Sequence, residues 1–377
     1  SPTSWRRRSR SDWGRLGMEY KWGELISLEY GKPIKDKEKT DGQYPVYGTN
    51  GQIGTSDLPP LCNHASFILG RKGAYRGVHY SSVPFSVIDT AFYAENLHPE
   101  LLNIEWAYYK FLTYDINSMD SGSAIPSTDR YEIYAIEVDL PNYKSQKKTV
   151  ELLRSLDEKI ELNNKINENL QQQAQAIYQE WFGDINTEKE QGTLSNICTY
   201  SKERVSVSEL DISTYFSTEN MLPGKAGAVE ASSLPTTAQT TACHVGDTLI
   251  SNIRPYFKKI VYCHEECGCS TDVLCFVPVH PKYSAYLYST LYADRFFDFM
   301  VAGSKGTKMP RGDKQQIMTY PVALPTETEL ERFNSVAVPI LMQIQNNRNE
   351  NKRLALIRNT LLPKLMSGEI NLGSVGE

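Results

Sequence analysis

The chain has 377 residues, of which 40% are hydrophobic and 11% aromatic, so it can bury the cores of two domains rather than one small module. It contains no run of about 18 apolar residues and no apolar stretch after its basic N-terminus, so it supports neither a membrane span nor a signal peptide, and we expect a cytoplasmic protein. A net charge of −5 excludes a uniformly basic surface, so phosphate binding would need local patches or partner subunits.

Residues 1–17 differ from the rest of the chain, since they carry five arginines and one aspartate. We expect this stretch to be a vector-derived or mis-assigned leader before Met18. The alternative is a basic arm that binds nucleic acid. We assign it no function.

Residues 18–144 have the pattern of a globular domain of mixed α/β class. Short β-prone runs begin at Ser66 (SFILG), Phe85 (FSVIDTAFYA) and Ile136 (IEVDLP), and Gly, Pro and Asn turn signals separate them. A helical stretch, IEWAYYKFLTYDI, begins at Ile104 and carries aromatic residues at helical spacing, which we assign to the core.

Residues 145–183 are predicted to form the first long helix. Ser145 is the expected N-cap, and some 38 residues give a length of roughly 55 Å. Apolar residues and two asparagines recur in steps of three and four, which is the seam of a coiled coil. The seam residues are Leu153, Leu156, Ile160, Asn163, Asn167, Leu170, Ala174, Ile177 and Trp181.

Residues 184–325 repeat the mixed pattern as a second globular domain. Its β-prone runs begin at Asp247 (DTLISNI), Thr271 (TDVLCFVPV) and Ile317 (IMTYPVALP). A helical stretch, SAYLYSTLYADRFFDFM, begins at Ser284 and again places aromatic residues at core spacing.

Residues 326–370 are predicted to form the second long helix, followed by a tail over 371–377. Thr326 and Glu329 form a capping-box pattern, and Pro339 should kink or restart the helix. The seam residues are Ala337, Ile340, Ile344, Asn347, Asn351, Leu354, Arg358, Leu361 and Leu365.

An internal repeat connects the two halves of the chain. An offset of 184 residues relates Pro126 to Pro310, Asp129 to Asp313, Ile133 to Ile317, Leu140 to Leu324 and Pro141 to Pro325, as well as Asn163 to Asn347 and Asn167 to Asn351. The chain is therefore predicted to be two copies of a globular part followed by a helix. Asparagine in a seam penalises wrong registers, so the matched pairs predict that the helices pack in one fixed alignment. The alternative is two amphipathic surface helices with exposed asparagines.

Loops in which Arg or Lys alternates with Gly, Ser and aromatic residues are the candidate DNA contacts. Glycine lets backbone amides approach phosphate while arginine reaches base edges. The candidates are Arg71, Lys72, Tyr75, Arg76, Ser123, Thr128, Arg130, Arg254, Tyr256, Lys258, Lys259, Ser304, Lys305, Thr307, Lys308 and Arg311. The alternative is solvated basic surface, with Asp129 and Asp313 bonding local backbone amides.

Catalytic motifs are missing from the sequence. The double proline Pro59-Pro60 lies in LPPL rather than in an Asn- or Asp-Pro-Pro-aromatic loop, and no GxGxxG occurs, so we expect no catalytic site and no cofactor in this chain. Seven cysteines fit reduced thiols better than disulfides. The group Cys243, Cys263, Cys267, Cys269 and Cys275, with His244 and His264, lacks zinc-site spacing, so we predict strand and turn cysteines and no metal.

The order of globular part, long helix, globular part and long helix resembles the specificity subunits of type I restriction-modification enzymes over almost the whole chain after Met18. The resemblance rests on a Leu-Pro before each helix, on the helix endings IYQEWFGDI and LLPKLMSGEI, and on the segments YPVYGTNGQIG from Tyr44 and SGSAIPSTDR from Ser121.

This resemblance implies that each globular part is a target-recognition domain for one half of a bipartite site on double-stranded DNA. The helices would form an antiparallel coiled coil with pseudo-twofold symmetry, set the spacing between the half-sites and dock two methyltransferase subunits. Endonuclease (translocase) subunits would join that core, and catalysis would belong to the partners. Two alternatives stay open, a structural or interaction protein without DNA recognition and an enzyme with its own site.

Overall fold

A computed structural model describes residues 17–34, 39–119, 126–183 and 190–372. The described residues form two units, one from within Ser1–Ile160 and Arg353–Glu377 (unit 1) and the other from Glu161–Lys352 (unit 2). The boundary between the units falls inside both long helices. The predicted mixed α/β class is confirmed, since strands and helices occur in both units.

The described residues of unit 1 form three sheets. Their strands are β1 (Gly17–Lys21), β2 (Ile26–Tyr30), β3 (Tyr44–Gly48), β4 (Gly51–Ser56), β5 (Ser66–Gly70), β6 (Val78–Ser81), β7 (Ser86–Val87), β8 (Ala91–Asn96) and β9 (Glu137–Pro141). The central sheet has the order β2-β8-β5-β6 and is antiparallel throughout. A mixed sheet has the order β4-β3-β7, and β1 pairs with β9.

The core of unit 1 forms where α1 (Trp22–Leu25), α2 (Ile104–Phe111) and α3 (Arg130–Ala135) join these sheets. The Asn103 side chain caps α2 by accepting two backbone N–H groups. The Phe111 ring lies 4.7 Å from the Trp22 ring, and Trp106 is fully buried beside them. The predicted placement of the α2 aromatic residues in the core is therefore confirmed.

The first long helix, α4 (Tyr143–Phe182), begins earlier than expected. The Asn142 side chain accepts the Ser145 backbone N–H at 2.9 Å. The prediction of Ser145 as the cap was therefore wrong, because an asparagine three residues earlier satisfies that amide.

Unit 2 repeats part of the strand order of unit 1. Its strands are β10 (Gln191–Thr193), β11 (Cys198–Tyr200), β12 (Arg204–Ser206), β13 (Tyr215–Phe216), β14 (Gln239–Cys243), β15 (Thr248–Ser251), β16 (Ile260–Tyr262), β17 (Cys267–Cys269), β18 (Val273–Pro278) and β19 (Pro321–Ala323). The antiparallel sheet β11-β18-β15-β16 corresponds to β2-β8-β5-β6, and the pair β10-β19 corresponds to β1-β9. A further sheet has the order β12-β14-β17-β13.

The helices of unit 2 are α5 (Ser284–Tyr292), α6 (Asp294–Ala302) and α7 (Lys314–Ile317). The sequence pattern predicted one helix across α5 and α6, but the extended backbone of Ala293 (ψ 139°) separates them. The predicted run from Ile317 is shorter than expected as well, since Ile317 ends α7 and only β19 is strand.

The second long helix, α8 (Glu327–Met366), has the predicted capping box. The Thr326 backbone N–H donates to Glu329 Oε2 at 2.9 Å, and the Glu329 N–H donates to Thr326 Oγ1 at 3.3 Å. The helix continues through Pro339 without a break, so the predicted restart was wrong. Pro339 is exposed, so water can satisfy the carbonyl that loses its donor.

Segments of α4 and α8 bond to each other within each unit. In unit 2, Asn163 Nδ2 donates to Asn351 Oδ1 at 2.8 Å, and Asn347 Nδ2 donates to Asn167 Oδ1 at 2.8 Å. Residue numbers thus increase along α4 in the direction in which they decrease along α8, so these segments are antiparallel. Asn163 is 1% exposed, which makes the alternative of exposed asparagines wrong.

The residues assigned to the two seams are buried or half-buried along both helices. Aromatic and aliphatic residues that the sequence pattern did not include, among them Tyr178, Phe333 and Leu341, also belong to the core of unit 2. Within the described ranges, no helix combines the length and the apolar character needed to cross a bilayer.

Candidate nucleic-acid interface

In unit 1, two of the predicted contact loops lie against each other. The loop 71–77 connects β5 to β6, and the segment 126–130 leads into α3. The Gly73 N–H donates to the Pro126 carbonyl at 3.0 Å, and the Thr128 N–H donates to the Arg71 carbonyl at 2.9 Å. We call residues 71–77 and 126–130 loop pair 1.

Unit 2 joins its loops through equivalent backbone bonds. The Arg254 N–H donates to the Pro310 carbonyl at 2.8 Å, and the Gly312 N–H donates to the Asn252 carbonyl at 3.3 Å. We call residues 252–259 and 304–313 loop pair 2. The same backbone frame therefore presents predicted contact residues in both units.

The cations of loop pair 1 are held beside aromatic rings. The Arg71 guanidinium lies 5.0 Å from the centre of the Tyr30 ring, and the Arg130 guanidinium lies 5.1 Å from the same ring. Arg130 Nη2 also donates to the Tyr131 hydroxyl at 3.3 Å. One exposed tyrosine thus holds two positive charges at the surface, where cation–π attraction offsets part of their repulsion.

Two other cations of loop pair 1 differ in exposure. Lys72 is exposed, with its ammonium 3.9 Å from Asp89 Oδ2. Arg76 is 2% exposed, and its Nη2 donates to the Asn117 carbonyl at 2.8 Å. Arg76 therefore supports the loop from inside rather than facing a ligand.

The remaining candidates of unit 1 fall into three classes. Thr128 is buried, like Arg76. Tyr75 is 63% exposed, so its ring is available to a partner. Ser123 and most of the basic leader lie outside the described residues.

Several cations of loop pair 2 are bound to acceptors in the same unit. Lys258 Nζ lies 2.6 Å from Asp294 Oδ1, and Lys259 Nζ donates to the Thr218 carbonyl at 2.6 Å. Burial lowers the pKa of Lys259. Arg311 Nη2 lies 3.1 Å from an Asp272 carboxylate oxygen.

The second segment of loop pair 2 is anchored by the residue that caps α7. Asp313 accepts the N–H groups of Gln315 and Gln316, and Lys305 Nζ lies 2.5 Å from its other oxygen. The Lys305 ammonium and these amides hold the pKa of Asp313 below its usual range. Asp129 likewise accepts the Tyr131 N–H at 2.9 Å, which confirms the local capping role considered for both aspartates.

The exposed face of loop pair 2 is formed around a tight turn. Arg254 and Lys258 both have a φ of 51°, the left-handed region that residues other than glycine rarely adopt. Between them, Tyr256 is 50% exposed and its ring lies 4.7 Å from that of Phe257. The other predicted residues at this surface are exposed Arg254, Thr307 and Lys308 and half-buried Ser304.

The sequence pattern missed Tyr30, Tyr131 and Phe257, which place exposed rings beside the predicted cations. Tyr131 and Phe257 directly follow predicted residues, so the alternation of basic and aromatic residues could have indicated them. Tyr30 lies at the end of β2, far away in sequence, and only the fold brings it to Arg71.

The cysteines singled out in the second half of the chain belong to the interior of unit 2. Cys243, Cys267, Cys269 and Cys275 lie in strands, and Cys263 follows β16. All five are buried. Their predicted placement in strands and turns is therefore confirmed.

Comparison with known proteins gives a family match in the first half of the chain. Residues 17–172 match the family model described as type I restriction modification DNA specificity domain. A stretch of 54 residues is 37% identical to the type I restriction enzyme HindI specificity subunit of Haemophilus influenzae. That stretch covers 14% of this chain and only 12% of the relative.

Solved structures resemble the chain over nearly its full length. The crystal structure of a type I restriction-modification S subunit from M. genitalium has a TM-score of 0.61 at 16% identity and covers 95% of this chain and 98% of that one. The HsdS subunit of Thermoanaerobacter tengcongensis has a TM-score of 0.33 at 14% identity, with 94% and 97% covered. The first of these shows a shared fold.

Proposed function

Because this chain matches a type I restriction modification DNA specificity domain over residues 17–172, we propose that it is the non-catalytic subunit that selects a bipartite DNA site. Its resemblance to type I specificity subunits, which is confirmed, is the premise of this proposal. Each unit would recognise one half-site on double-stranded DNA through its loop pair. Methylation and cleavage would belong to partner methyltransferase and endonuclease subunits.

The repeated backbone frame of the loop pairs is the observation that carries this proposal. The bond between Gly73 and Pro126 in unit 1 has its equivalent between Arg254 and Pro310 in unit 2. The same frame carries different side chains, a Tyr30-centred arginine pair in one unit and the Tyr256 turn in the other. The two loop pairs share a backbone arrangement but present different side chains. This suits two domains that recognise different half-sites, because side chains distinguish the bases while backbone contacts to phosphate fix the position of the protein on the duplex.

The long helices supply two further parts of the proposal. We propose that they form the antiparallel coiled coil that separates the half-sites, supported by the asparagine bonds between α4 and α8. Exposed apolar side chains on the helices, such as Leu162 (51%), Met342 (59%) and Leu356 (69%), support docking of methyltransferase subunits, with two copies as the expected number.

Arg254→Ala tests the DNA contact in unit 2. With methyltransferase subunits present, we expect the variant to bind the cognate duplex about 5- to 150-fold more weakly, the equivalent of about 1–3 kcal/mol for an arginine at a base edge. If Arg254 contacts a phosphate instead, binding should weaken on all sequences and the slope of log K against log salt should fall by about one. Fluorescence anisotropy over a salt series measures both quantities.

Lys352→Ala is the matched control, because it removes one exposed positive charge from α8 in the same unit. It should leave both the affinity and the salt slope unchanged. If the assembled complex binds DNA with no sequence preference and no salt dependence, the chain is an interaction protein and the proposal is wrong.

A further inference from the structure

Three side chains with metal-binding donor atoms meet in unit 1. Cys62 and His64 lie in the loop before β5, and Glu95 lies in β8. Their donor atoms all lie within 4.8 Å of one another. We propose that Cys62, His64 and Glu95 bind one Zn²⁺ ion that links this loop to the central sheet.

The distances between the donor atoms suit a tetrahedral ion. His64 Nε2 lies 2.9 Å from Glu95 Oε2 and 3.8 Å from Cys62 Sγ. Zn²⁺ binds sulfur at about 2.3 Å and nitrogen or oxygen at about 2.0–2.2 Å, so its tetrahedral ligand atoms lie roughly 3.5 Å apart. Cys62 Sγ lies 3.7 Å from His64 Nδ1 as well, so the imidazole ring must turn before Nε2 and the thiol sulfur can hold one ion. A thiolate, an imidazole and a carboxylate are also ligand types that Zn²⁺ accepts together.

The second ring nitrogen of His64 supports the assignment. His64 Nδ1 lies 3.2 Å from the Ala65 carbonyl, which can only accept, so Nδ1 is the donor there. Nε2 then faces the Glu95 carboxylate, so both groups are placed to bind one ion. A backbone carbonyl on the far nitrogen is the usual support of a zinc-bound histidine.

The burial of the three groups differs in a way that fits a solvent-open site. Cys62 is 1% exposed, whereas the side chains of His64 and Glu95 are 49% and 38% exposed. The ion would enter from the solvent side and keep water as its fourth ligand.

The placement of the site would let a bound ion connect the loop to the central sheet. The Cys62 N–H and carbonyl both bond to Phe85, each at 2.9 Å, which fixes the position of this residue. β8, which carries Glu95, pairs with β2 on one side and β5 on the other. An ion held by all three residues would add a link between the loop and the sheet, and the folded state would gain stability from binding.

Metal titration of the full chain after treatment with a chelator tests this site. We expect one Co²⁺ per chain with a thiolate-to-metal charge-transfer band, displaced by Zn²⁺, and a melting temperature that rises with Zn²⁺. Cys62→Ser should abolish the band and the rise in melting temperature. His64→Gln and Glu95→Gln should each weaken Zn²⁺ binding at least about tenfold. Both residues are partly exposed, so these variants keep the test valid if Cys62→Ser folds poorly.

Two variants serve as matched controls. His98→Gln disrupts a histidine–glutamate pair, with His98 Nδ1 3.1 Å from Glu100 Oε1, and should leave metal binding unchanged. Cys198→Ser removes a buried thiol of unit 2 and should also leave it unchanged. No Co²⁺–thiolate band in the unaltered chain would overturn the proposal, and so would an undiminished band in Cys62→Ser, which would place the ion elsewhere.

Discussion

Replacing residues 19–144 with the corresponding domain of another type I specificity subunit is expected to change one half of the methylated DNA site and to leave the other half and the spacer unchanged. Loop pair 1 lies wholly inside the exchanged segment, and loop pair 2 lies wholly outside it. Sequencing that detects methylated bases measures both half-sites in one experiment.

The design of this exchange follows from the core of unit 1. Val150, Leu153, Leu362 and Leu365 of the long helices belong to the same buried cluster as Trp106. The donor domain must therefore keep apolar residues where it meets α4 and α8, since a polar mismatch in a core costs several kcal/mol.

The control is the original chain with only the sequence changes introduced at the two ends of the exchanged segment. It should keep the original methylated DNA site. Two results would contradict the model of one reader per unit. One is a change in both half-sites, and the other is loss of all modification by a folded and fully assembled complex.

Inserting four residues after Leu170 is expected to lengthen the spacer by one or two base pairs. Four residues add about 6 Å of helix, close to two base pairs at about 3.4 Å each. They also rotate the following part of α4 by about 40°, which moves Tyr178 relative to Phe333, so activity should fall. The methylated motif of the variant measures the spacer.

The register of the asparagine bonds provides a matched design. If Asn163 meets Asn351 and Asn167 meets Asn347, then Leu170 lies level with Ile344. Seven residues inserted both after Leu170 and before Ile344 keep the register and the seam phase, and add about 10 Å, or about three base pairs.

Asn163→Leu is the control for the insertions, since it removes the bonds to Asn351 and Glu350 without changing helix length. It should loosen the register of the two helices and leave the spacer unchanged. An unchanged spacer in an active insertion variant would show that the helices only tether the two units.

The repeat and the mixed fold could be predicted from sequence because residues with the same structural role stand at equivalent positions in both halves of the chain. Asp129 and Asp313 cap equivalent helices, and Ile133 and Ile317 are both fully buried. Seam asparagines were predictable for the same reason, since a buried amide needs a partner at a matched position.

Other features of the candidate sites depend on contacts made only in the folded chain, so the repeat offset of 184 residues did not indicate them. The first segments of the loop pairs are related by an offset of 181 rather than 184, as Gly73 and Arg254 show. Arg76 is buried because it contacts Asn117, which is distant in sequence. From the charge of Arg76 alone, the sequence indicated an exposed residue. Glu95 is similarly far in sequence from Cys62 and His64, so a metal site there had no recognisable spacing.

Mapping methylated bases across the genome of cells with and without this chain, in the presence of its methyltransferase partner, tests the central claim most directly. The account predicts methylation at one bipartite motif with a fixed spacer, present only when the chain is present. Methylation at the same motif without the chain would contradict the account, because site selection would then belong to another subunit.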